Sequence, residues 1–372
     1  MSTLRALASQ FVAEGEIATV EPLGNGNINS TFLVTVQAAD RSRFVLQKIN
    51  AQVFGRPDLV IQNMVVLSEH LRDHADVRSP RWETPHIIPT VEGKHFWQDE
   101  AGDYWRAISF IEDCQVLETI ETSSHAREVG YGLAMFHRLI SDLSVEKLAD
   151  TIEGFHVTPS YLKCYQKALQ KYQASLRDGL AIDRALAQPQ TISYCMEFIE
   201  ARQEWAHILE KAKADGHLRL RPIHGDPKVN NIMLGNDGRA VSLIDLDTLK
   251  PGLVHYDIGD CLRSSCNRLG EETQEWERVI FDAALAKAML EGYFSLAKDF
   301  LTEQDYLYIY DAIRLIAFEL GLRFFTDYLS GNVYFKVKHP THNLTRALVQ
   351  FKLTESIEAQ AETLKGMIKA LH

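Results

Sequence analysis

His224-Gly225-Asp226-Pro227-Lys228-Val229-Asn230-Asn231, followed after a short hairpin by Val241-Ser242-Leu243-Ile244-Asp245-Leu246-Asp247, decides how this chain is read. Ile232-Met233-Leu234, the turn Gly235-Asn236-Asp237-Gly238 and the apolar run before Asp245 predict a strand, a turn and a second strand that ends in a carboxylate. Each polar member suits one task in phosphoryl transfer from ATP. Asp226 is placed to receive the proton of an acceptor hydroxyl and to aim it, and Lys228 to offset charge on the moving phosphate. Asn231 and Asp245 offer hard oxygens for Mg²⁺, which keeps several waters of its own. Asp247 is expected on the same strand face as Asp245, as a supporting or alternative ligand. A His-Gly-Asp tripeptide alone is a common turn, and a solvated loop with a lysine accounts for half the pattern. The full set, bounded by strands, points to catalysis.

The chain has 372 residues, so two lobes or domains are expected. With 46% hydrophobic and 24% charged residues the composition is that of an ordinary globular protein. A formal net charge of −11 argues against nucleic acid or an anionic membrane as partner. A nucleotide needs only a local positive pocket, so ATP remains compatible. The five cysteines are scattered and form no C-x-x-C pair, which predicts reduced thiols in a cytoplasmic protein rather than a disulfide framework or a zinc site. Neither a signal-peptide core nor a bilayer-spanning apolar run is expected.

Along the chain, Leu4, Leu7 and Phe11 predict a short opening helix. Residues 19–24, 31–36 and 43–49 read as an antiparallel meander, and Asp58 to Leu71 as a helix opened by Pro57. Strand character returns over 85–112. From about 124 onward helices dominate, interrupted by the strand-like pieces of 218–250. The fold class expected is α+β and bilobal. Residues 1–113 form a small antiparallel-sheet N-lobe with a helix, and residues 114–372 a larger, mainly helical C-lobe.

Gly24-x-Gly26 lies between the first two strands. It reads either as a hairpin turn or as a loop whose backbone N–H groups approach phosphates. Phe44, Leu46 and Lys48 share a strand face, so Lys48 either snorkels at the rim or meets a ligand, with the α- and β-phosphates of ATP as its expected partner. Glu69 would be the helical partner for such a lysine. It projects nearly opposite the Val60, Met64, Leu67 and Leu71 face, which Asn63 and His70 flank instead, so it is left out of the site. His137, beside Phe136 on a helix, reads as a hydrogen-bonded packing residue.

The catalytic string resembles that of the aminoglycoside phosphotransferase and choline kinase superfamily, whose fold is similar to that of protein kinases. Within it, Glu319-Leu320-Gly321-Leu322-Arg323-Phe324, Asp327-Tyr328-Leu329 and Val333-Tyr334-Phe335-Lys336 resemble the N-acetylhexosamine 1-kinase branch. The similarity spans nearly the whole chain, from Leu23-Gly24-Asn25-Gly26-Asn27-Ile28-Asn29 and Phe44-Val45-Leu46-Gln47-Lys48-Ile49-Asn50 onward. It implies an ATP- and Mg²⁺-dependent small-molecule kinase that acts on a sugar hydroxyl, with an amino sugar at its anomeric hydroxyl as first choice. Aminoglycoside, choline and homoserine are the alternative acceptors, and a non-catalytic ATP-binding module of the same fold is the alternative from another class. It implies that Phe110 and Glu112 belong to a hinge meeting adenine through backbone groups. Arg323 would hydrogen-bond the acceptor and Tyr334 would stack on it or donate to it. Asn27 and Ser30 depart from the histidine and aspartate of that branch at positions open to the acceptor. The resemblance also makes Asp257 a brace for the catalytic loop, although an N-cap with Asp260 in the first turn explains the same residues. A ladder of Glu319, Arg323 and Asp327 at i,i+4 spacing is the structural alternative for the acceptor arginine.

Overall fold

β-Branched and aromatic residues in alternation build the sheet-bearing first third of the molecule. The computed structural model describes residues 2–24, 28–37, 42–72, 81–177 and 189–372. A short helix, α1 (Ser2–Ala8), precedes β1 (Glu16–Pro22), β2 (Ser30–Gln37) and β3 (Arg43–Lys48). Helix α2 (Pro57–Arg72) follows, with Pro57 at its first position, where the missing N–H costs nothing. Then come β4 (Ile87–Ile88), β5 (Trp97–Gln98) and β6 (Tyr104–Ser109). The sheet order is β1-β2-β3-β6-β4, with β5 also on β6, and every pairing is antiparallel.

The two faces of this sheet bury different things. Phe44, Leu46, Trp105 and Ala107 pack with Val34 and Val36 against Leu7, Ala8 and Phe11 of the N-terminal segment. On α2, Val60, Met64 and Leu67 join the larger core that continues into the helical part. The sheet thus carries a small private core on one side. Its other side is welded through α2 to the rest of the protein.

Beyond residue 113, β7 (Cys114–Val116) pairs with β9 (Ile232–Gly235), which pairs with β10 (Ala240–Leu243); β8 (Arg221–Ile223) pairs with β11 (Lys250–Gly252). Around these lie α3 (Ser123–Leu139), α4 (Thr158–Arg177), α5 (Pro189–Glu200) and α6 (Ile208–Ala214). After the short sheets come α7 (Val254–Ser265), α8 (Ala283–Ala297), α9 (Glu303–Leu307), α10 (Ile309–Ser330), α11 (His342–Ala359) and α12 (Ala361–Leu371). The buried residues of α10 run round its whole circumference, from Ile309 to Leu329, so this helix is the axis of the larger core. Helix α7 crosses it closely at Gly259, where a Cβ would stand 2.6 Å from the Ala312 carbonyl oxygen. Among the described residues no helix is long and apolar enough to cross a membrane.

Candidate active site

The chain leaves β8 into His224–Lys228, makes a 3₁₀ turn over Val229–Asn231, and returns through β9 and β10 to Asp245. Gly225 has φ +89°, and a Cβ there would lie 2.7 Å from the Thr248 carbonyl oxygen, so this turn admits glycine alone. Asp257, in the first turn of α7, fixes the loop from below. Its Oδ2 accepts the His224 N–H at 2.7 Å and its Oδ1 accepts the Gly225 N–H at 2.8 Å. His137 Nε2 meets the same Oδ2 at 2.8 Å, while its Nδ1 faces the Tyr293 hydroxyl at 2.8 Å. The N-cap of α7 is Leu253, without a side-chain cap bond, so Asp257 serves the loop rather than the helix end. Replacing Asp257 by Asn is expected to cost about 3–5 kcal/mol, since a fully buried carboxylate holding backbone donors is lost. Denaturant unfolding measures this, and a cost under about 1 kcal/mol would show that the loop stands without it.

Within the loop, Lys228 Nζ donates to Asp226 Oδ2 at 2.8 Å. Enclosure favours a neutral Asp226, but the Lys228 ammonium outweighs it and holds the carboxyl below its ordinary range. In turn Asp226, with Asp245 and Asp260 beyond, holds the Lys228 proton above the usual lysine value. Asn231 Nδ2 donates to the Asp226 carbonyl at 2.7 Å, which directs its Oδ1 away from that bond. Asp245 adopts a left-handed conformation, φ 65° and ψ 56°, that turns it out of the strand direction. Enclosure by the cleft walls and the Asp247 carboxylate, with Asp226 adding, push its carboxyl up to about 7. The residue is open to solvent on one side, which tempers the effect of enclosure and leaves carboxylate crowding as the firmer cause.

This donor set fits Mg²⁺. Asp245 carries a carboxylate that its neighbours discourage from ionising and that makes no hydrogen bond within the described residues, and Asn231 adds a neutral oxygen. Among the described residues no cluster of three or more His, Cys, Asp or Glu side chains forms a metal cage. A cation held by one carboxylate and one amide must take its remaining ligands from phosphate and water, as Mg²⁺ does.

Asp247 departs from expectation. It lies in a 3₁₀ turn, Leu246–Thr248, past the end of β10, and does not share a strand face with Asp245. Its carboxylate is buried and taken by the Arg106 guanidinium and by Asn29 Nδ2. Arg106 also donates to Gln47 Oε1 at 2.7 and 3.0 Å. Below it, Asn63 of α2 donates to the carbonyls of Ala149 and Leu249 at 2.9 and 2.8 Å. The sheet side and the catalytic segment are therefore joined by buried polar bonds. The sequence reading missed Arg106. Its one visible signal was a lone cation in a strand otherwise rich in apolar residues.

Lys48 requires a correction. Its ammonium pairs with Asp103, on the face that carries Phe44 and Leu46. That face packs on the N-terminal segment, so strand alternation turns Lys48 away from α2 and Asp247, and Gln47 and Arg106 toward them. Lys48→Ala is expected to cost at most about 1 kcal/mol of stability and to leave Mg-ATP affinity unchanged in titration calorimetry. Arg106→Ala, which strands a buried Asp247, is expected to cost about 3–5 kcal/mol. Glu69 is exposed, in keeping with its omission from the site.

Gly24 has φ +69° in the β1–β2 connection, while Gly26 and Asn27 lie outside the described residues. Phe110 is half-buried with the Arg43 guanidinium 4.7 Å from its ring centre. Glu112 is engaged: its carbonyl accepts Arg81 Nη2 at 2.5 Å and its carboxylate accepts Arg43 Nε at 2.8 Å. One lone pair of that carbonyl is therefore taken, and the other remains for a second donor.

On the acceptor side the ladder does not form. Glu319 is taken by His156 Nδ1 at 2.9 Å and Thr158 Oγ1 at 2.6 Å. Asp327 accepts the backbone N–H groups of Val333, Tyr334 and Phe335 at 2.8–3.0 Å, together with Asn343 Nδ2 at 2.9 Å. Arg323 is left with no hydrogen-bond or ion-pair partner among the described residues. Its guanidinium stands 4.9 Å from the ring centre of Tyr161, 5.2 Å from that of Phe155 and 5.9 Å from that of Tyr334. Burial works against its charge, while Tyr161, Tyr334, Glu319 and Asp226 favour it, which places Arg323 in the electrostatic reach of the catalytic loop. Asp260 and Arg263 bond to each other through Asp260 Oδ1, at 2.8 and 2.9 Å.

A carboxylate on a lysine, an amide in the same turn and a second carboxylate within electrostatic reach of the first, on an α+β scaffold, suit a phosphotransferase of the protein-kinase-like class. The chain belongs to the phosphotransferase enzyme family (APH), which matches residues 19–300. It is a phosphotransferase with a hydroxyl acceptor. Its structure is similar to that of an aminoglycoside phosphotransferase from Alicyclobacillus acidocaldarius (TM-score 0.60, 15% identity, 98% of this chain and 96% of that one covered). It is also similar to a microcompartment-associated aminopropanol kinase (TM-score 0.64, 14% identity, 98% of each chain). A third likeness is to an amicoumacin kinase in complex with AMP-PNP and Ca²⁺ (TM-score 0.59, 13% identity, 96% of this chain and 93% of that one). At these identities the likeness is one of fold, and the α+β, kinase-like expectation holds.

Proposed function

We propose that this phosphotransferase moves the γ-phosphoryl group of Mg-ATP to a hydroxyl of a neutral or anionic small metabolite. An N-acetylhexosamine phosphorylated at its anomeric hydroxyl is the candidate of choice. The observation that carries the acceptor class is the Arg323 guanidinium, without a hydrogen-bond or ion-pair partner among the described residues, ringed by aromatic side chains and within electrostatic reach of Asp226. A fixed positive charge in a partly desolvated pocket repels choline or an aminoglycoside and attracts carbonyl, hydroxyl or anionic oxygens. Exposed Tyr334 adds an aromatic face suited to a sugar ring. The nucleotide-bound state of the amicoumacin kinase supports ATP as donor.

In this reading the cleft lies between an N-lobe of residues 1–113 and a C-lobe of residues 114–372. Asp226, held ionised, accepts the acceptor's hydroxyl proton and aims its oxygen. Lys228 keeps Asp226 charged and faces the phosphate in transit, and Arg323 with Tyr334 orients the acceptor. Asn231 and Asp245 would hold Mg²⁺, which supplies neutralisation of phosphate charge. Gly24, Gly26 and Phe110 would line the nucleotide side, and Asn27 the acceptor side.

ADP release with Mg-ATP, measured across N-acetylglucosamine, N-acetylgalactosamine, homoserine, choline and an aminoglycoside, tests the proposal. Turnover with the N-acetyl sugars supports it. Turnover with choline or the aminoglycoside alone would overturn the role of Arg323.

A further inference from the structure

His156 is buried, has φ +64°, and sits in the turn before α4. Its Nε2 meets the Gly225 carbonyl oxygen at 2.7 Å, and its Nδ1 meets Glu319 Oε1 at 2.9 Å. A carbonyl oxygen can only accept, so Nε2 carries a proton. With Nε2 protonated, a neutral ring would point a bare Nδ1 at a carboxylate oxygen, whose partner oxygen already accepts from Thr158 Oγ1 at 2.6 Å. The geometry is that of an imidazolium between two acceptors. Burial works against the charge, but the Glu319 carboxylate, Asp260 and the Gly225 carbonyl outweigh it and hold the ring's proton above the ordinary histidine value. The remaining walls are uncharged rings, Phe155 and Tyr256, at 4.1 and 5.4 Å between centres.

The consequence lies in what Gly225 precedes. Asp257 takes its N–H and His156 takes its C=O, so the residue before Asp226 is gripped through both of its peptide groups. Glu319 belongs to α10, the helix that also carries Arg323, and Phe155, next to His156, flanks the Arg323 guanidinium.

We infer that His156 is a positioning residue: held by Glu319 of the acceptor helix, it grips the Gly225 carbonyl and fixes the aim of Asp226. The role rests on the reading of Asp226 as the group that orients the acceptor. It gives one rigid turn two duties, setting the acceptor wall through Phe155 and the catalytic loop through His156. A loosened grip lets the carboxylate swing without touching the nucleotide site, so it acts on kcat and spares the KM for Mg-ATP.

The test uses the full chain and acceptor-free ADP release, with water as acceptor, so that it does not depend on which metabolite is the substrate. His156→Asn tolerates the left-handed backbone but cannot span both acceptors. It is expected to lower kcat by about 10- to 100-fold with the Mg-ATP KM within about two-fold. Glu319→Gln still offers Nδ1 a hydrogen-bonding partner and is expected to retain most turnover, whereas Glu319→Leu is expected to match His156→Asn. A His156→Asn enzyme within about two-fold of wild-type kcat, or an equal loss in all three variants, overturns the proposal. Asp226→Asn run alongside separates the two readings. If it abolishes turnover while His156→Asn stays within about two-fold of wild type, the grip alone fails; if it leaves turnover unchanged, the reading of Asp226 fails. Nitrogen-15 NMR of the unmutated protein is the arm that survives misfolded variants. Both His156 ring nitrogens are expected to carry protons at pH 7, and a bare Nε2 there would refute the grip.

Discussion

Asp226→Asn is expected to lower turnover by on the order of 10²–10⁴ with Mg-ATP affinity close to wild type. The substitution keeps size and shape, so the supports of the loop survive it. Asn231 still donates to the residue's backbone carbonyl, and Asp257 still accepts the N–H of the glycine before it. What disappears is the negative charge on the oxygen that Lys228 holds ionised. An amide cannot accept the acceptor's proton, and Lys228 is left without its counter-charge beside an incoming phosphate. Lys228 then binds the triphosphate at least as firmly as before. The expected signature is therefore a collapse of kcat without a rise in the nucleotide dissociation constant, read by ADP release and calorimetry on the same preparation. Turnover near normal would remove Asp226 from the reaction.

Asp245→Ala carries the second large effect. Metal-dependent nucleotide affinity is expected to fall by about 100-fold or more, down to what wild type shows in EDTA. Asp247 does not substitute for it, because Arg106 and Asn29 already occupy that carboxylate. The metal-free variant should also be no less stable than wild type, and more stable in alkaline buffer. The sign follows from the direction of the shift. Asp245 is raised in the fold to about 7, so its ionised form is disfavoured there, and the cost grows as pH rises from the unfolded carboxyl value through that point. Removing the group removes the cost. Unaltered Mg-ATP affinity would strike Asp245 from the metal site, and a falling Tm at pH 8 would show that the crowding is relieved in some other way.

Much of the scaffold was legible because its signals are local. Alternation over 31–36 and 43–49 became β2 and β3, Pro57 opened α2, and the hairpin after Asn231 became β9 and β10 within a residue or two. The catalytic string needed no tertiary knowledge either, since Asp226, Lys228 and Asn231 sit in one turn whose geometry Gly225 and the flanking strands dictate. Asp257 was visible as a candidate, but the choice between helix cap and loop brace needed coordinates.

The failures share one cause. That Phe44, Leu46 and Lys48 lie on one strand face follows from periodicity; which core that face meets does not. It meets the N-terminal helix, and Lys48 went outward with it while Arg106, on a strand far along the chain, turned inward. The spacing of Glu319, Arg323 and Asp327 predicted a ladder, as it would on a solvated helix. In the buried α10 the two carboxylates found partners of higher value elsewhere, His156 and Thr158 for Glu319 and the amides of a following loop for Asp327, which left Arg323 to its aromatic neighbours.

The sequence by itself determined the element order, the kinase-like class and the groups we propose to work on the phosphate, because these are written in short-range spacing. Tertiary structure alone decided which cation pairs with Asp247, that Arg323 is left without a polar partner among the described residues, and that His156 holds the Gly225 turn. Those outcomes depend on buried charges seeking partners through space, where desolvation makes a distant neighbour worth more than one a helical turn away.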